Sequence, residues 1–168
     1  MNYDWRTSVW QQFGAAIDML DDVISRCPDR LWTAVLWTDP DDVQYGQFWF
    51  LAYHTVMWLD LHLTGSPEGF APPPPFMRGA LPDHPYTKAQ IRAYLDQCRR
   101  TCQSTIAALT DEQATQRCVF EWMELSFLEL LLYSMRHVQE HAAQLSLVLG
   151  QHEVPGMGWV AQARNTAA

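Results

Sequence analysis

Two histidines one helical turn apart, in His137-Val138-Gln139-Glu140-His141, are the residues of this chain best suited to chemistry. At about 100° per residue, positions four apart lie roughly 40° apart on one helix face, so both imidazoles can address a single divalent ion. They belong to a seam, Phe127, Leu130, Ser134, His137, His141, Gln144 and Val148, that is apolar at its ends and polar in the middle. A third candidate ligand is His54. It sits on the stripe Leu51, His54, Trp58 and Leu61, whose steps of three, four and three face a helix toward the core. Helical bundles build metal sites from such inward-facing side chains of different helices. Three His ligands leave at least one coordination position for water or substrate, the pattern of a catalytic rather than a structural site.

Each signal alone has a plainer explanation. One His on an apolar stripe is more often a hydrogen-bonded core residue, and an HxxxH pair is commonly two polar residues on a wet face. The combination on two inward seams is what points to one bound divalent ion. His62 lies eight residues after His54, roughly 80° round the helix. His84 and His152 fall in a proline-rich connection and in the tail, where solvation is expected. No general base stands out. Glu140 could orient a ligand or could equally be a solvated surface residue. Cys98 and Cys102 form a CxxxC pair that could supply soft ligands or a redox couple. They lie on an apolar stripe, however, where Cys packs as a small hydrophobe.

These residues require long helices to position them, and four segments have the needed period. The first spans about Asp4 to Arg26, with Val9, Phe13, Ala16, Leu20, Val23 and Cys27 at steps of three and four. Cys27-Pro28 ends it, because the residue before proline is pushed out of helical geometry. The second spans about Val43 to Leu63, closed by Gly65-Ser66-Pro67. The third spans about Lys88 to Leu109, opened by the capping box Thr87 to Gln90. The fourth spans about Ser126 to Leu149, opened by a second capping box, Ser126 to Glu129, and stopped by Gly150. Residues 65–85, with Pro72-Pro73-Pro74-Pro75, form a stiff connection between the second and third helices, which Phe70, Phe76 and Met77 could pin. Few segments suggest strands. Trp32 to Trp37 has the composition of one but is expected as an extended loop packed on the helices. The tail after Gln151 is expected to be irregular and to fray at Asn165-Thr166-Ala167-Ala168. The expected fold class is all-α, a single domain over residues 1–168 built as a four-helix bundle.

Bulk properties exclude several function classes. A chain of 168 residues with 48% hydrophobic residues and eight Trp can bury a core without disulfides. Its formal net charge of −8 repels phosphate, and its densest basic spot is only Arg99-Arg100. Neither nucleic acid nor an anionic membrane surface is an expected partner. Neither a targeting segment nor a membrane-spanning apolar stretch is apparent, so the expected location is the cytoplasm.

Ala52-Tyr53-His54 on the second helix, with His137-Val138-Gln139-Glu140-His141-Ala142-Ala143-Gln144-Leu145 on the fourth, resembles the DinB-like (DinB/YfiT) superfamily. The family's recurring form is a His on the second helix and His-x-x-x-His followed three residues later by Gln. Every position is matched, with Ala143 where Gly is common before the Gln. The resemblance implies an up-down-down-up bundle, a Zn or Ni ion on His54, His137 and His141, and a homodimer. Relatives of known activity include bacillithiol S-transferases and mycothiol-dependent isomerases. The leading expectation is a metal-dependent enzyme of the thiol S-transferase type, acting on a small molecule with a low-molecular-weight thiol as the second substrate. The alternative is a non-catalytic metal-binding or dimerising stress-response module. His137 to His141 also spells HxxEH, the inverted zinc-protease motif. That motif's third ligand is an acidic residue far downstream, and only 27 residues follow His141, so a protease is disfavoured.

Overall fold

The structure, a computed structural model, describes residues 4–165; Thr166-Ala167-Ala168 of the expected fray lie outside that range. It is mostly helical. The long helices are α1 (Trp5–Arg26), α3 (Phe48–Thr64), α4 (Lys88–Ala108) and α6 (Phe127–Gln151), with short α2 (Asp29–Trp32) and α5 (Asp111–Ala114) between them. α1 packs against α4 and α6, and α3 packs against the same two helices from the other side. The core fills the space among the four with Phe13, Ile17, Leu20, Trp49, Leu95, Val138 and Leu145, all fully or almost fully buried. Each such aliphatic or aromatic side chain contributes about 1.5–3 kcal/mol on leaving water.

The helix ends follow local chemistry. Asp4 caps α1 by accepting from the Arg6 backbone N–H, and α1 stops at Cys27, before Pro28. Thr87 with Gln90, and Ser126 with Glu129, form the two expected capping boxes, and Thr110 with Gln113 makes a third at α5. Gly65 closes α3 with φ of 75°, in the left-handed region that glycine adopts without strain. Gly150 does not stop α6. The helix passes through it to Gln151, and the left-handed residue is Glu153, with φ of 59°.

α3 begins later than the sequence suggests. Val43–Gly46 form a 3-10 turn, and Gln47 is extended before the helix starts at Phe48. The backbone here is committed to another partner. Leu36 N–H donates to Gly46 O and Phe48 N–H donates to Ala34 O, giving an antiparallel bridge of Val35 with Gln47. Gly46 is needed at this contact, since a Cβ there would lie 2.0 Å from the Trp37 carbonyl oxygen. The strand-like Trp32 to Trp37 segment is thus split. Trp32 ends a helical turn and is buried, its indole N–H donating to Tyr86 O at 2.8 Å, while Val35 makes the bridge.

The connection between α3 and α4 is held down by rings. Phe76 is buried and stacks on Tyr53 and Tyr94, with interplanar angles of 10° and 23°. Met77 contributes its backbone rather than its side chain, which is exposed. Its carbonyl accepts from the Tyr53 hydroxyl, and its N–H donates to the Tyr86 hydroxyl.

An antiparallel hairpin, β1 (Arg117–Phe120) and β2 (Met123–Ser126), precedes α6, with Glu121 and Trp122 at its turn. Cys118 and Phe120 face inward and pack with Leu61 and Leu130 in a small second core. Past α6 the tail is irregular but anchored. Ala163 N–H donates to Gln11 O, and the Arg164 guanidinium pairs with Asp22.

Candidate metal centre

α3 is buried on most sides, which carries His54 inward between the rings of Phe50 and Trp58. α6 turns its apolar stripe toward the core and its polar seam toward α3, bringing His137 and His141 to the same point. His137 Nε2 lies 3.3 Å from His54 Nε2 and 3.0 Å from His141 Nε2. One ligand atom from each of the three residues falls within 4.8 Å of the others. The three residues singled out by spacing are therefore brought together.

The donor set suits a divalent cation. Zn–N bonds of 2.0–2.1 Å at a tetrahedral angle place neighbouring nitrogens about 3.3 Å apart, close to the spacing seen. The His141 ring is fixed by Gln144, whose amide oxygen lies 2.7 Å from Nδ1. A carboxamide oxygen only accepts, so Nδ1 carries the proton and Nε2 presents its lone pair to the other two rings. Burial, then the neighbouring imidazoles, hold His54 down to about 4 and His137 to about 3. Both are neutral at physiological pH, the form that ligates metals.

Other candidates separate from this cluster. Glu140 is exposed and borders a depression with Gln12, Met135 and Trp159, and His54, His137 and His141 line none of it. An HxxEH protease would need that carboxylate at the ion. Cys98 and Cys102 are buried free thiols on α4, pushed well up by burial, and they are not part of the group of side chains that converge with His54. His84 and His152 are exposed.

The cluster stands between two cavities. One, of about 270 Å³, is lined by His54, His137, His62, Trp58, Trp122 and Tyr133. The other, of about 440 Å³, includes His54, His141, Gln144, Trp37, Asp39 and Tyr45. His62 and Trp122 were not predicted as site residues. His62 is 2% exposed, and burial holds it down to about 4. The run His54, Trp58, His62 at steps of four is the signal that could have found it. Trp122 offers no comparable signal, because only the fold of the hairpin brings it over Trp58.

The chain is similar in fold to the crystal structure of a DinB-like protein, YjoA, of Bacillus subtilis. The TM-score is 0.61 at 12% identity, over 94% of this chain and 99% of that one. No curated protein of similar sequence was found. The sequence profile of the DinB superfamily matches residues 12–145, spanning α3 with His54 and α6 with His137, His141 and Gln144. The chain belongs to the DinB superfamily.

Proposed function

We infer that the protein is a metal-dependent enzyme of the thiol S-transferase type, holding one divalent ion, zinc or nickel, on His54, His137 and His141. The observation that carries this is the convergence of three imidazole nitrogens in a wall shared by two cavities. A divalent ion held there would stabilise a thiolate or make a bound water more acidic. The chain's own residues supply the rest. His54 and His137 stay neutral and available, and Gln144 sets the tautomer and aim of His141. Trp58, Trp122 and Phe50 keep apolar surface beside the cluster, where a charge is less well hydrated and a fixed ligand counts for more. Two cavities give a thiol and an acceptor separate approaches to one point. The acceptor is a small molecule, and the active form is a cytoplasmic homodimer with its long helices in up-down-down-up order.

The test is elemental analysis of protein purified without an affinity tag, followed by turnover of a thiol panel with a fluorogenic electrophile. Bacillithiol, mycothiol, glutathione and cysteine cover the thiol class. Conjugation that requires the ion supports the enzyme. Fully loaded protein with no turnover on any of the four would favour the non-catalytic metal-binding module.

A further inference from the structure

The cavity on the hairpin side of the cluster contains a polar group with nothing to bind. His62 is almost completely buried, yet neither Nδ1 nor Nε2 has a hydrogen-bond partner among the described residues. A buried imidazole so placed gives up the bonds it would make in water, and native structures rarely leave such groups unmet. Four rings surround it: Trp58 at 5.6 Å, Tyr133 at 5.4 Å, Phe120 at 5.8 Å and His137 at 6.2 Å between centroids. Ring faces and edges hold the imidazole in place without satisfying its nitrogens.

The walls indicate the shape of what would satisfy it. Trp58 and Trp122 stand at 87° with centroids 5.2 Å apart, so a planar ring can lie against one and meet the edge of the other. The volume of about 270 Å³ exceeds the roughly 150 Å³ that takes benzene, which leaves room for one substituted ring. Both His62 nitrogens are closed off from water, so a ligand reaches them only when a wall moves, and Trp122, half-exposed at the hairpin turn, is the wall residue that can shift without opening the core.

We propose that this cavity binds a small single-ring aromatic molecule bearing one hydrogen-bonding substituent, with the ring against Trp58, Trp122 and Tyr133 and the substituent on His62. As a binding site it stands on the cavity and on His62 alone. Its use as the acceptor site, beside His54 and His137, rests on the function inferred above.

Phenol and toluene test this directly, because they match in shape and differ in one hydroxyl. Metal-loaded protein, with its ion counted on the same sample, is titrated with each by calorimetry and by ligand-observed NMR. Phenol should bind about tenfold more tightly than toluene, the worth of one net hydrogen bond. In His62→Phe the preference should vanish while toluene still binds. His62→Gln, which restores a donor and an acceptor, should recover part of it and covers a His62→Phe protein that does not fold. Equal affinities in the wild type, or a preference that survives both substitutions, would overturn the proposal. The same titration in wild-type protein freed of its ion by a chelator, which leaves His54 in the cavity wall, separates the two claims. A retained preference assigns the hydroxyl to His62 whether or not the enzyme reading holds, and its loss there assigns the hydroxyl to the ion and overturns the role of His62.

Discussion

His141 and Gln144, one turn apart on α6, are joined by a 2.7 Å contact between the imidazole Nδ1 and the amide oxygen. It is the one hydrogen bond from another residue type that fixes a ring of the cluster, since His137 Nδ1 is buried without a partner among the described residues. Removing it in Gln144→Leu should weaken zinc binding about 10- to 100-fold, the usual effect of losing a group that orients a ligand. Gln144→Glu, which keeps the acceptor and adds charge, should bind at least as tightly as the wild type. Competition with a chromogenic chelator reads both.

Metal loss should loosen the protein without unfolding it. α3 and α6 already share a packed core, so an ion between them adds stability by mass action. At free ion about 100 times Kd the gain is roughly 2.7 kcal/mol, or about 5–10 °C in melting temperature for a chain of this size. Chelation should reverse that shift and leave the far-UV helical signal at 25 °C unchanged. His54→Ala, His137→Ala and His141→Ala should each lose the shift, whereas His62→Ala should keep full metal content.

Acid should destabilise the metal-free protein earlier than its carboxylates require. His54 and His62 are held to about 4 and His137 to about 3, chiefly by burial, against about 6.5 in an unfolded chain. Above pH 6.5 neither state binds these protons and stability is at its full value. As pH falls below 6.5 the unfolded state takes them up first, so stability declines down to about pH 4–3, where the folded state titrates as well. Urea midpoints at pH 7.5, 6 and 5 should fall steadily, and His62→Phe should flatten the slope.

Asp18 on α1 and Arg99 on α4 form a buried ion pair, with Arg99 Nε donating to Asp18 Oδ1 at 2.8 Å. The tail completes it: Arg164 N–H donates to Asp18, and the Arg164 carbonyl accepts from Arg99. Asp18→Ala leaves a guanidinium buried without its counter-charge and should cost about 3 kcal/mol, read as a drop in the urea midpoint. Asp21→Ala, which loses a half-exposed pair with Arg92, should cost under about 1 kcal/mol.

Much of the helical framework and the three histidines could be read from spacing, because helix periodicity and capping boxes act within a few residues. His54, His137 and His141 were found through faces that each helix displays alone. What escaped was decided by distant contacts. α3 starts at Phe48 because Gly46 and Gln47 pair with residues 34–36, a partnership that no local pattern announces. The hairpin strands are four residues each, too short for their alternation to register. Arg99 stood out as half of a small basic spot, yet its charge is matched by Asp18, 81 positions earlier. The angle of His62 from His54 does not disclose its place in the cavity wall, which depends on Trp122 and Tyr133 arriving from other parts of the chain.

Ser126 is both the last residue of β2 and the N-cap of α6. The hairpin that carries Trp122 therefore runs without a linker into the helix that carries His137, with the histidine cluster about three turns further on. Inheritance can treat the two parts separately. A change of residue or length at the two-residue turn would reshape the cavity wall while leaving the capping box, the helix phase and the histidine triangle as they are. The wall beside Trp122 can in this way change under one selection while the histidine triangle stays under another.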